Sequence, residues 1–559
     1  MPHVITQNCC NDASCVAVCP VDCIHPTPDE PDYGTAEMLY IDNESCIDCG
    51  ACIPACPVDA IVPDYDDVLP AGFDLFERLN AGYYADRNEP PTPVAAPPST
   101  DTDDYTTETL RVAVVGSGPA AWYTAEELLA HPSCKVEVDM FERLLTPGGL
   151  VRFGVAPDHQ RTKLIQRRFE RTSRRDGFRL FLNVDIGQDL THETLVDHYH
   201  AVVYATGAMR DKQLGIPGES LPGSHSAAEF VGWYNGHPDF RNRQFDLSGE
   251  RAVVFGNGNV ALDVARVLLR DPEALAQTDI ADHALDALRE SRIREVIVVG
   301  RRGPLEAGFT TPELIGLSEA SGLQVSVSRQ DIDDADVSAT ETDRRVLAEL
   351  LTKLAVEEPP AGRHVSLRFL QSPVELTGDG RVERVILRRN ELVYDSGRVA
   401  ARGTDELEEL SCDLVIRAVG YHGTPIPSVP FDPARGTIPN HDGRVVDPRI
   451  GEPLPGVYTT GWIKRGPSGV IGTNKSCAHE TVQGLLEDWR SGRLACRSDR
   501  TPDIANLVPD SIGLEEFRAI DDYEIAAGKK SRRPRVKLVD PDHQLAVARQ
   551  HNVLTCQSR

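Results

Sequence analysis

The sequence predicts an α/β body of two dinucleotide-binding, Rossmann-like units with a small α+β iron–sulfur module in front of it. Three observations predict this. Cysteines crowd residues 9–56 at cluster-ligand spacing, a glycine-rich strand–turn–helix unit occurs twice downstream, and strands alternate with helices beyond residue 106.

The module is read from Cys46-Ile47-Asp48-Cys49-Gly50-Ala51-Cys52-Ile53-Pro54-Ala55-Cys56-Pro57, a C-x2-C-x2-C-x3-C-P run. At that spacing three thiolates wrap one corner of an iron–sulfur cube and the fourth reaches a neighbouring cluster. Upstream, Cys15, Cys19 and Pro20 repeat Cys52, Cys56 and Pro57. Such a repeat implies a two-fold module with two clusters. A zinc site calls instead for paired C-x2-C knuckles across a longer spacer. Disulfides call for an oxidising compartment, and Met1 to Thr6 does not open a secretory signal. The expectation is iron–sulfur ligation in a cytoplasmic protein.

At 559 residues several domains are expected. Without a run of 18 apolar residues, no membrane insertion is expected. The net charge of −28 is uneven, since residues 1–105 hold 20 acidic residues against Arg78 and Arg87 alone. That balance argues against nucleic acid and would steer basic redox partners to the module. Phe73, Leu75, Phe76, Leu79, Tyr83 and Tyr84 fall near helical spacing and should pack on the cysteine module. The expected domains are 1–88 for the module, 89–106 for a proline-rich extended linker, 107–208 with 412–559 for the first nucleotide unit, and 209–411 for the second. The tail from about 497 is polar and poorly periodic, and its cluster Lys529-Lys530-Ser531-Arg532-Arg533 reads as solvated.

In the first nucleotide unit, the strand Arg111-Val112-Ala113-Val114-Val115 runs into Gly116-Ser117-Gly118-Pro119-Ala120-Ala121, then a helix to Ala130. The glycines permit a tight turn and close approach of a pyrophosphate, and the helix N-terminus faces its charge. The next strand ends at Glu142, where an acid can bind a ribose diol. The second unit repeats the design with Arg251 to Phe255, then Gly256-Asn257-Gly258-Asn259-Val260-Ala261 and a helix from Leu262 to Arg270. Its next strand ends at Arg301-Arg302 in place of an acid, which suits the 2′-phosphate of NADP. Strand-plus-glycine turns follow at Ala205-Thr206-Gly207 and Ala418-Val419-Gly420. Near the end, Gly461-Trp462 and Gly466 to Thr473 suit closure over a ring.

Leu150 to His159, Gly258 to Arg266 and Arg301 to Pro304 resemble adrenodoxin reductase and its bacterial relatives, over about residues 105–559. The first 85 residues or so resemble small bacterial ferredoxins with seven or eight irons. The whole chain resembles the actinobacterial fusion of a ferredoxin to an NADPH:ferredoxin reductase, a two-dinucleotide-binding flavoprotein. The resemblance implies FAD in the first site, contacted by Ala120, Glu142, Leu150, Ile186, Trp462, Gly469, Val470 and Ile471, with Gly116, Gly118 and Ala121 in its turn. It implies NADP(H) in the second, at Asn257, Gly258, Asn259, Val260, Arg301, Arg302, Glu313 and Gly469. Lys212 stands where relatives commonly carry an arginine for the nucleotide phosphates. His159 and Glu313 would orient nicotinamide and flavin.

By the same resemblance Cys19, Cys46, Cys49 and Cys52 hold one [4Fe-4S] cluster, and Cys9, Cys15 and Cys56 a second. The second is [3Fe-4S], or [4Fe-4S] if Cys10 or Cys23 adds a ligand. The implied activity is that of a ferredoxin–NADP reductase, with hydride passing from NADPH to FAD and single electrons to the clusters. External acceptors would be ferredoxins or cytochromes P450. Rival readings are a glutamate-synthase small-subunit-like protein and a non-catalytic redox sensor. The Phe153 to His159 segment favours the reductase over the former, and no ligand- or DNA-reading module supports the latter.

Overall fold

The structure is a computed structural model that describes residues 3–65, 69–85, 108–132, 134–333, 342–395, 398–494 and 503–557. The expected linker at 89–106 lies outside the described residues.

Two seven-stranded sheets form the body. In the first, Phe178–Leu182, Val136–Glu142, Leu110–Val115, Ala201–Tyr204 and Pro453–Thr459 run parallel, and Arg444–Val446 and Asn440–His441 extend the sheet antiparallel. Leu110–Val115 lies in the middle, and its valines are buried because both faces are covered. The helix Pro119–Leu129 starts directly after Gly118, with proline in its first turn, where no amide donor is lost.

The second sheet is wholly parallel, in the order Ser224–Ser226, Leu414–Arg417, Arg251–Phe255, Glu295–Val299, His364–Arg368, Gln324–Ser328 and Ala355–Val356. Leu414–Arg417 lies beyond the expected boundary at 412, yet Val415 pairs with Val253 in this sheet. Its Leu-Val-Ile run is fully buried there, which fixes its membership. The chain crosses between units at Arg210–Asp211 and Tyr421–His422, which pair antiparallel.

The two units repeat one local device. Gly116 and Gly256 have φ of 102° and 103°, a region that side chains disfavour. A Cβ on either would overlap the carbonyl of Ala205 or Ala418, the first residues of the two return turns.

In the module, His3–Ile5 pairs with Ile61–Pro63 and Ile24–His25 with Tyr40–Ile41. The helix Phe73–Ala85 is stitched across both pairs by fully buried Asn80. Its Oδ1 accepts from the amides of Ile5 at 3.3 Å and Ile41 at 3.0 Å, and its Nδ2 donates to Ile5 O at 2.9 Å. Leu79, Tyr83 and Tyr84 face the module as expected, whereas Phe76 and Val4 enter the core of the second nucleotide unit.

The tail departs from the expectation of a solvated segment. It forms the helices Leu514–Lys530 and Pro541–Gln557. Arg533 is buried against the carbonyls of Thr278 and Ile280 and the carboxylate of Asp282, and Arg535 pairs with Asp521 and Glu524. Charge runs read as solvated only when their partners are unseen, and here those partners include Asp282, 251 residues away.

Candidate functional site

A long cleft opens where the first sheet's glycine turn meets the second unit. It is lined by Gly116, Gly118, Ala120, Glu142, Leu150, Trp462, Gly469, Val470 and Ile471, together with His159, Val260 and Glu313. Glu142 closes the strand end expected for a ribose-binding acid. Its carboxylate accepts from the Ser117 amide at 3.1 Å, the Ser117 hydroxyl at 2.6 Å and the Leu144 amide at 3.0 Å. The Trp462 ring stacks on Tyr421 at 6.2 Å, so an aromatic wall comes from the two return segments together.

Several expected residues lie elsewhere. Ala121 is buried within the helix core, and Ile186 packs in an apolar cluster with Val184 and Leu190, outside the cleft lining. Lys212 is exposed, and its amide donates to Gly420 O. The second glycine turn is braced by its own side chains. Asn257 Oδ1 accepts from the Gly308 amide and Asn259 Oδ1 from the Thr310 amide, and Gly258 caps the helix Asn259–Leu269. Arg301 and Arg302 follow the adjacent strand. Among the described residues neither guanidinium is engaged with a carboxylate, so both are free to meet an anion.

The residues fit dinucleotides. At each glycine turn a buried polar atom lacks a partner among the described residues: Thr206 Oγ1 beside the first and Asn257 Nδ2 at the second. Buried polar atoms of this kind need a ligand or a protein partner.

One cluster in the cleft joins residues far apart in sequence. His159, Asp263 and Glu313 bring their polar atoms within 4.8 Å of one another. Burial pushes the Asp263 carboxyl up to about 6 against the pull of Arg266. Arg266 and Arg270 pin Asp158, the neighbour of His159, at 2.8 and 2.6 Å. Sequence reasoning missed Asp263. Its signal was present, since Asp263 follows Val260 by three positions and shares its helix face.

The cysteines form two groups. Cys19, Cys46, Cys49 and Cys52 surround one void, together with Cys23. Cys9 and Cys56 both lie close enough to Cys15 to raise its pKa after burial, and Cys56 does the same to Cys9. Burial lifts Cys9 to about 12 and Cys52 to about 11. Cys19, Cys46, Cys49 and Cys52 around one void, with Cys9, Cys15 and Cys56 grouped nearby, make an all-sulfur donor set that fits iron–sulfur ligation. Cys23 sits 3.5 Å from Cys19, with the first group. Cys9 and Cys10 also line the nucleotide cleft, and Cys10 O accepts from the Gly472 amide at 2.6 Å.

Two Rossmann-like units, one with its glycine turn on the cleft and the other reaching it through Val260 and Asp263, define a two-dinucleotide-binding oxidoreductase. A family model described as pyridine nucleotide-disulphide oxidoreductase matches residues 110–310, and one described as 4Fe-4S binding domain matches 39–62. A Mycobacterium tuberculosis protein named probable ferredoxin/ferredoxin–NADP reductase is 49% identical over 572 residues, covering 98% of this chain and 95% of its own. The bovine mitochondrial NADPH:adrenodoxin oxidoreductase is 42% identical, covering 78% of this chain and 92% of its own. The solved structure of Mycobacterium tuberculosis FprA in complex with NADPH aligns with a TM-score of 0.75 at 47% identity, over 79% of this chain and all of that one. The chain belongs to the ferredoxin/ferredoxin–NADP reductase family.

Proposed function

We infer that the chain takes electrons from NADPH at the cleft, passes them to its own cysteine module, and hands them to external acceptors such as ferredoxins or cytochromes P450. The observation that carries this is the shared lining. Cys9 and Cys10 of the module stand on the same cleft as Gly116, Glu142, Trp462 and Ile471. FAD, when bound, accepts a hydride from NADPH and releases electrons singly, which is chemistry the protein's side chains do not supply.

The protein's part is placement. The turn from Gly116 to Ala120 and the N-terminus of Pro119–Leu129 hold the flavin pyrophosphate, and Glu142 holds its ribose. Arg301 and Arg302 hold the 2′-phosphate of NADPH. His159, Asp263 and Glu313 orient the nicotinamide at the floor of the cleft. Cys19, Cys46, Cys49 and Cys52 hold a [4Fe-4S] cluster. Cys9, Cys15 and Cys56 hold a second of the [3Fe-4S] type; Cys23 lies with the first group, which leaves Cys10, beside Cys9 and Cys56, as the alternative fourth ligand. Thiolate ligands require a reducing compartment, so the site of action is cytoplasmic.

Anaerobic titration tests this. NADPH should bleach bound FAD, and EPR of the oxidised protein should show a three-iron signal. Absence of bound flavin would overturn the reading of the cleft, and a diamagnetic oxidised protein with eight irons would overturn the second cluster type.

A further inference from the structure

The cysteine module contributes a side chain to the nicotinamide end of the cleft. Gln7 lines it, and its Nε2 donates to Glu313 Oε2 at 2.9 Å across 306 residues of sequence. Room for this contact is built into the opposite surface. Gly316 lies within the helix Thr311–Ser318, where glycine costs about 1 kcal/mol relative to alanine. A Cβ at that position would overlap the Gln7 amide. The module grips the same helix again at its start, where the Thr311 amide donates to Glu37 Oε2 at 2.8 Å.

We propose that Gln7 is a positioning residue for the hydride step, fixing the Glu313 carboxylate beside His159 and Asp263. This rests on the reading of the cleft as the nicotinamide site. A carboxylate that must touch the ring has several rotamers, and one donated hydrogen bond selects among them. Docking of the electron-accepting module thereby completes the site that loads the flavin.

Gln7→Met keeps the side-chain volume and removes the donor. In the full-length holoenzyme, saturating flavin reduction by NADPH in stopped flow should slow on the order of tenfold. Calorimetric binding of 2′,5′-ADP, which reaches only the 2′-phosphate end, should not change. Gly316→Ala displaces the Gln7 amide while favouring the helix, and should slow the same step without lowering the melting temperature. A wild-type rate in Gln7→Met, or 2′,5′-ADP affinity falling in parallel, overturns the proposal. Glu313→Gln separates the two levels. If it is slow while Gln7→Met is normal, only the positioning role fails; if both are normal, the reading of the cleft fails with it.

Discussion

Arg301 and Arg302 are the residues on which nucleotide choice turns. Each charge-assisted hydrogen bond to a 2′-phosphate contributes roughly 1.5–3 kcal/mol. Losing one should raise the NADPH KM by about one to two orders of magnitude where binding is uniform. The double change Arg301→Ala, Arg302→Ala should therefore erode the preference over NADH by harming NADPH alone, with FAD content unaltered. Full retention of the preference in steady-state kinetics would refute the assignment. His237, in the same cleft, offers a test by pH. Burial, aided by Arg143 and opposed by Asp239, holds its imidazole down at about 4, against 6.5 unperturbed. Between those values the unfolded chain binds a proton that the folded one refuses. The contribution of His237 is thus complete above about 6.5 and lost as pH falls towards 4. His237→Asn can still accept from the Asp239 amide, a contact of 3.2 Å. It should flatten the acid limb of urea midpoint against pH, and an unchanged slope would count against this account.

Among the elements, the C-terminal segment carries the most unexpected load. Lys163 of the first unit and Lys537 of the tail both pair with Asp279 of the second, at 2.7 and 3.1 Å, and all three are buried. Burial alone would raise the Asp279 carboxyl, but the two ammonium groups hold it well below its ordinary range. Asp279→Asn removes the counter-charge of two buried lysines, whose pKa values burial already pushes down, and should cost about 3–5 kcal/mol in urea unfolding. A loss under about 1 kcal/mol, the range of an exposed pair, would mean water screens the cluster. This network was illegible in the sequence because its members lie on three segments more than a hundred residues apart. The strands were legible for the opposite reason. Valine-rich runs ending in Gly116 or Gly256 are local signals, and both fold as read. The helix Phe73–Ala85 was legible in extent and only partly in orientation, since periodicity gives an apolar face without saying that Phe76 would leave the module for a neighbour.

At the scale of the whole molecule, the module is seated on the body by more than its tether. Asp12, buried, pairs with Arg168 at 2.9 Å, its carbonyl accepts from Lys475, and Arg78 pairs with Glu349. Phe76 and Val4 add apolar contact with the second unit. A chain cut between Pro98 and Ser99 should therefore stay associated, and cluster reduction should not depend on concentration at micromolar protein. Salt should weaken it little, because the central pair is shielded from solvent. Strong dilution dependence in the cut protein would show that the tether, through effective concentration, does the holding. The most direct test of electron flow through the module is Cys49→Ser, at the exposed cysteine of the first group. With loss of that cluster verified by EPR, NADPH-dependent reduction of cytochrome c should collapse while reduction of ferricyanide, which can draw on the flavin directly, persists. Cytochrome c reduction at the wild-type rate without the cluster would contradict the account.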